Sequence, residues 1–134
     1  MMMPEIMVSN YETSLAFWTG ALGFRICYTR PAMMFAYLER PEGGQMMLYQ
    51  RDGDWETGPL EAPFGRGVVL QVYVADLAPL EAAVRAAGLP FYVQPRERWR
   101  DWGDRLGGQR EFLVQDPDGY LVMVAERIGE KPKP

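Results

Sequence analysis

The sequence predicts an α+β fold in which two βαβββ modules form curved mixed sheets around a cleft. Two observations carry this. The order strand, capping residue, helix, glycine stop, strand occurs in residues 6–24 and again in residues 72–89. Beyond each glycine the apolar spacing changes from helical to short runs separated by Pro- and Gly-containing turns, as antiparallel strands require. A helix covers one face of such a sheet, so the other must meet a second sheet or a partner chain. Two curved sheets side by side leave a concave surface suited to a ligand.

The elements follow in order. Ile6-Met7-Val8 is an apolar run ending at Asn10, whose side chain can accept a first-turn amide of the helix that follows. Leu15, Trp18 and Leu22 recur at helical spacing, and Gly23 supplies a left-handed stop. Strands are expected over 24–28, 33–38 and 45–50, separated by turns at Arg30-Pro31 and Pro41-Glu42-Gly43-Gly44. In the second half Asp76 is the expected cap, Leu77, Leu80, Val84 and Ala87 the helical stripe, and Gly88 the stop. A strand over 91–94 then leads into a long polar and aromatic loop. Residues 110–115 and 120–126 flank Asp116-Pro117-Asp118-Gly119, a hairpin turn by composition. One domain of residues 1–134 is expected, with modules at 3–50 and 67–128, a linker at 51–66 and a flexible tail at 129–134.

Composition excludes several function classes. A net charge of -4 lacks the basic footprint of a nucleic-acid binder. The one dense basic cluster, Arg96, Arg98, Arg100 and Arg105, is interleaved with Glu97, Asp101 and Asp104. No apolar run approaches the ~20 residues that span a bilayer, and the first residues show no export signal. The single cysteine, Cys27, cannot pair internally and is expected to be a buried, inert thiol, which suits a reduced cytoplasm.

The paired strand-helix-strand-strand-strand order resembles the vicinal oxygen chelate superfamily, which includes glyoxalase I, extradiol dioxygenases, and fosfomycin and bleomycin resistance proteins. The resemblance rests on Val8-Ser9-Asn10, Ser14-Leu15-Ala16-Phe17-Trp18-Thr19 and Leu22-Gly23-Phe24 in the first half. In the second it rests on Val74-Ala75-Asp76-Leu77 and the run from Arg110-Glu111-Phe112 to Asp116-Pro117-Asp118-Gly119. Phe-Trp-Thr followed by Leu-Gly-Phe, with Arg-Glu-Phe before Asp-Pro-Asp-Gly, is most similar to the bleomycin-resistance branch. Metal-using members carry His, Glu or Gln ligands on the first and last strands of each half, and the resemblance places those positions at Met3, Tyr49, Val69 and Met123. Thioethers, a phenol and an isopropyl group make no site for Zn, Ni, Mn or Fe(II), and the chain contains no histidine. The resemblance therefore implies no cofactor and no metal, as in the branch that binds its drug without a metal of its own. Glu5 and Gln71, two residues further along their strands, make with Tyr49 only a poor oxygen set and read as polar groups lining a wet cleft.

Strand alternation turns Ile6 and Val8 toward the helix and Met3, Glu5 and Met7 toward the cleft, with Met47, Tyr49, Val69, Gln71, Tyr73, Leu121 and Met123. Methionine adapts to irregular flat ligands, and equally fills core between sheets. Trp99 and Trp102 either stack on a flat heteroaromatic ligand, with Glu5, Asp101 or Asp104 meeting a cationic group, or clamp the loop to its own sheet or a second subunit. Tyr37, Arg110 and Phe112 complete the expected ligand-binding set. No residues pair by spacing into a catalytic constellation. The expectation is a homodimeric, cytoplasmic, metal-independent protein that sequesters a small planar or cationic molecule, such as a bleomycin-type antibiotic, with no nucleic-acid or membrane partner. The alternatives are a metal-dependent lyase, isomerase or dioxygenase of the same fold, and a generic binding or regulatory module.

Overall fold

The computed structural model describes all 134 residues. Strand β1 (Glu5–Val8) leads to Asn10, whose extended backbone and side chain cap α1 (Tyr11–Ala16) by accepting the Thr13 N–H at 3.1 Å. The helix continues as a wider π-helical turn, Phe17–Ala21, which buries Phe17, Trp18 and Ala21 before Gly23 turns the chain at φ 68°. Strands β2 (Arg25–Arg30), β3 (Phe35–Glu39) and β4 (Gln45–Gln50) complete the first module. The second repeats it with β5 (Val69–Tyr73), α2 (Ala78–Ala86), β6 (Val93–Asp101), β7 (Arg105–Gln115) and β8 (Leu121–Pro132). Asp76 accepts the Ala78 N–H at 3.1 Å, while Glu126 of β8 takes the Leu77 N–H at 2.8 Å. The start of α2 is thus capped in part from across the sheet.

Each module makes one four-stranded sheet, ordered β1-β4-β3-β2 and β5-β8-β7-β6. β1 runs parallel to β4 and β5 parallel to β8; the remaining pairs are antiparallel. The helix-facing residues of both sheets and both helices fuse into one core of 20 buried residues. Ile6, Val8, Leu38 and Leu48 enter it from the first sheet, and Phe112, Val114, Val122 and Val124 from the second. No helix is long and apolar enough to cross a membrane.

Three expectations are corrected here. Residues 95–101 are strand, because β6 pairs with β7 from Arg96↔Glu111 to Asp101↔Leu106. The tail is not frayed: β8 pairs with β7 as far as Arg105↔Pro132, and Lys133 Nζ reaches Asp101 Oδ2 at 2.7 Å. Its ladder bonds and ion pair hold residues that have no apolar surface to bury. Cys27 is exposed, since β2 is an edge strand that nothing covers; partial desolvation and a hydrogen bond with Glu39 push its thiol up.

The Asp116-Pro117-Asp118-Gly119 turn joins the modules. Asp116 accepts the N–H groups of Asp118 (3.0 Å) and Tyr120 (2.9 Å), and the indole N–H of Trp18 at 3.2 Å. Asp118 accepts the Ser9 N–H at 2.9 Å and also the Ser9 hydroxyl. Tyr120 donates its hydroxyl to the Met7 carbonyl at 2.8 Å.

Two outcomes are expected. Trp18 is fully buried with Phe17 and Phe24 edge-on to it, so Trp18→Phe leaves a cavity and strips a donor from Asp116. Chemical denaturation should show a loss of ~2–3 kcal/mol. Burial, against the three donors, pushes the Asp116 carboxyl up from 3.8 to about 6. Between those values the folded chain holds a proton the unfolded chain has released, so this group's contribution to stability falls as pH rises. The stability of the wild type relative to Asp116→Asn should therefore drop by on the order of 3 kcal/mol from pH 4 to pH 7. A flat difference would contradict the assignment.

Candidate functional site

Each sheet turns one face away from the common core, and the linker residue Leu60 packs over part of the first. On the first sheet, β1, β4 and β3 align Met7↔Tyr49↔Phe35 and Glu5↔Met47↔Tyr37. Met7, Phe35 and Tyr49 are buried as a small cluster, with Tyr37, Met47 and Leu60 packed against it. Tyr28 stacks on Tyr37 at 5.2 Å, and the Arg30 guanidinium lies 4.4 Å from the Phe35 ring centroid. Tyr49 donates its hydroxyl to Asp52 at 2.7 Å, and that bond with partial desolvation pushes the phenol up to about 12. Five of the expected residues, Glu5, Met7, Tyr37, Met47 and Tyr49, therefore share this face.

On the second sheet Gln71 pairs with Met123, and Met123 with Leu113. Val69 and Tyr73 keep 43% and 39% of their surface on this open side. β7 adds Gln109 and Glu111, and β6 adds Arg96, Arg98 and Arg100. Glu111 has no exposed surface. One of its oxygens accepts Arg96 Nη2 at 3.1 Å and Arg100 Nη2 at 2.9 Å; the other accepts Gln109 Nε2 at 2.7 Å and Arg100 Nη1. The Arg100 bonds, then those from Gln109 and Arg96, outweigh desolvation and hold the carboxyl down at about 2. Tyr73 extends the network by donating to Gln109 at 3.3 Å.

The two tryptophans separate. A Cβ on Gly107 would lie 2.1 Å from the Trp102 ring, and one on Gly108 would lie 2.7 Å from Trp99. Consecutive strand residues point to opposite faces, so each glycine is the floor under one indole. Trp102 lies on the face of Glu111, with Arg127 between it and Tyr73, 5.1 Å and 4.8 Å from their ring centroids. Trp99 lies on the other face, its indole donating to Glu97 at 2.8 Å and Lys131 standing 4.1 Å above it.

Other expected residues also leave the open face. Phe112 is fully buried in the common core, and Arg110 pairs with Glu81 of α2 at 3.3 Å. Alternation from Glu111 puts both on the helix side. Asp101 and Asp104 are tied to Lys133 and Arg105, so neither is free to meet a cation. Of the expected set, the second open face gathers Gln71, Tyr73, Trp102 and Met123. Sequence reasoning missed Arg96, Arg98, Arg100, Gln109, Glu111 and Arg127 there. The signal was present: arginines at every second position mark one face of a strand, but the segment read as a loop.

Two βαβββ modules, each forming one four-stranded mixed sheet, define the fold class. The chain belongs to the Glyoxalase/Bleomycin resistance protein/Dioxygenase superfamily, whose family model matches residues 2–124. A superfamily member from Vibrio splendidus is 32% identical over 92% of this chain and 95% of that one, with a TM-score of 0.43. A virulence protein from Salmonella typhimurium (18% identity, 96% of each chain) and TioX from Micromonospora sp. (20%, 96% of this chain and 99% of that one) share the fold, both at a TM-score of 0.70. No protein with a curated description matches the chain in sequence.

The metal used by enzymes of this superfamily does not fit the donors present. Met3, Val69 and Met123 offer no hard ligand, the Tyr49 phenol is held protonated against Asp52, and both oxygens of Glu111 are taken by guanidinium and amide N–H groups. Glu111 instead positions the arginines. Glu111→Gln leaves two guanidiniums facing a neutral amide, and thermal or urea unfolding should show ~2 kcal/mol of destabilisation, moderated by the arginines' contact with water. An unaltered midpoint would show that the network holds nothing in place.

Proposed function

We propose that this chain is a metal-independent cytoplasmic protein that sequesters a small planar molecule on its open sheet faces, without turnover. The observation that carries the reading is the character of the four family metal positions, Met3, Tyr49, Val69 and Met123, where the one residue with a suitable atom keeps its proton. The bleomycin-resistance branch is favoured by Phe17-Trp18-Thr19, Leu22-Gly23-Phe24 and the Trp102-Gly103 pair. Homodimerisation is favoured by what one chain leaves bare. Every residue of β2 is exposed, and Ile26, Tyr28, Met33 and Met34 retain 44–48% of their surface. A second copy laid against that edge strand would cover these side chains.

Purified protein should carry well under one equivalent of transition metal by elemental analysis, and should bind after exhaustive chelation as before. A stoichiometric, protein-ligated metal would overturn the proposal. Titration with metal-free bleomycin at micromolar concentration should quench tryptophan fluorescence. No quenching removes the drug-type ligand.

A further inference from the structure

The open face of the second sheet carries five arginines, Arg96, Arg98, Arg100, Arg105 and Arg127, against three carboxylates, Glu111, Glu130 and the turn residue Asp104 beside Arg105. The excess of two positive charges sits on a chain whose net charge is -4. Arg105 and Glu130 pair at 3.0 Å. Glu111 neutralises one of the two guanidiniums that grip it and holds both in place. Arg98, paired opposite Gln109, and Arg127 have no ion-pair partner. The Arg127 guanidinium carbon lies 4.8 Å and 5.1 Å from the Tyr73 and Trp102 ring centroids, and its N–H groups make no side-chain hydrogen bond or ion pair within the chain. A guanidinium held beside two rings with its N–H groups free suits two parallel hydrogen bonds to a carboxylate. Met123, whose sulfur lies 3.6 Å from Gln109 Nε2 in the row of Arg127, and Leu113 opposite it give an apolar floor that suits the flat part of the same molecule.

We propose that this face selects an anionic ligand, a carboxylate on a flat aromatic or conjugated frame, with Arg127 and Arg98 receiving the carboxylate and Trp102 and Tyr73 walling the frame. This rests on the small-molecule-binding reading above and names the ligand's charge class, opposite to the cationic group that the sequence suggests. A cation brought here would meet unpaired arginines before any free carboxylate.

The test compares 2-naphthoate with its neutral isostere 2-naphthamide by isothermal titration of the full chain. Naphthoate should bind at least roughly tenfold more tightly than the amide, an advantage that shrinks between 50 and 500 mM NaCl. Arg127→Gln and Arg98→Gln should each bring the ratio of naphthoate to naphthamide affinity close to one, and Arg127→Lys should keep only part of the advantage. Equal binding of the two probes, or a naphthoate preference that survives both Gln variants, overturns the anionic assignment while leaving the small-molecule reading intact. Binding of neither probe overturns the assignment too, and counts against the small-molecule reading itself. Size-exclusion of the same variants gives a further check: if they dissociate a dimer and leave naphthoate affinity unchanged, the arginines belong to a subunit contact and the proposal fails.

Discussion

The buried carboxylate of Asp116 accepts N–H groups from Asp118, Tyr120 and the indole of Trp18, and that small bracket sets the position of much of the molecule. Asp118 holds the backbone and side chain of Ser9, and its carbonyl takes the Phe64 N–H at 2.8 Å. One four-residue turn thereby binds the helix of the first module, the end of its first strand and the linker between modules. The turn also connects β7 to β8, so whatever fixes it fixes the two central strands of the second open face. Burying a carboxylate this deeply has a desolvation cost, visible as a proton affinity raised to about 6. Three donors and the apolar contacts around Trp18 offset it.

Glu111 meets the same physics with a different outcome. It too is buried, but it faces two guanidiniums and an amide, and its proton affinity falls instead of rising. Coulomb attraction and charged hydrogen bonds exceed desolvation here because the donors are cations. At Asp116 the donors are neutral, and burial prevails. The difference separates the roles of the two carboxylates. Asp116 fastens modules together; Glu111 aligns a row of arginines along a face that is otherwise open to solvent.

The repeated module was legible because its signals are local. Asn10 as a cap, Gly23 as a stop and the alternation that sends Ile6 and Val8 inward depend on neighbours a few residues away, and the folded chain keeps all three. The placement of Met7, Tyr49 and Met123 on open faces was legible for the same reason. Residues 95–109 were not. Their composition is that of a loop, and only the pairing of 96–101 with β7, where Gly107 and Gly108 lack the side chains that would exclude two indoles, makes most of them strand. The C-terminal residues and Cys27 failed in the same manner: one gained a ladder partner and the other lost a cover that no local pattern reports.

The sequence by itself therefore determined the module order, the cap and stop of the first helix, the alternation of the first strand and the residue types at the positions that match the family's metal site, because each follows from residue type and short-range periodicity. Tertiary structure decided which charges are neutralised and which stay free. Arg96 and Arg100 meet Glu111, Asp101 meets Lys133, and Arg98 and Arg127 remain without an ionic partner. Those pairings join residues from separate strands, and Coulomb energy depends on distance in space. The electrostatic character of the open face, and with it the chemistry it can receive, exists only once β6, β7 and β8 lie side by side.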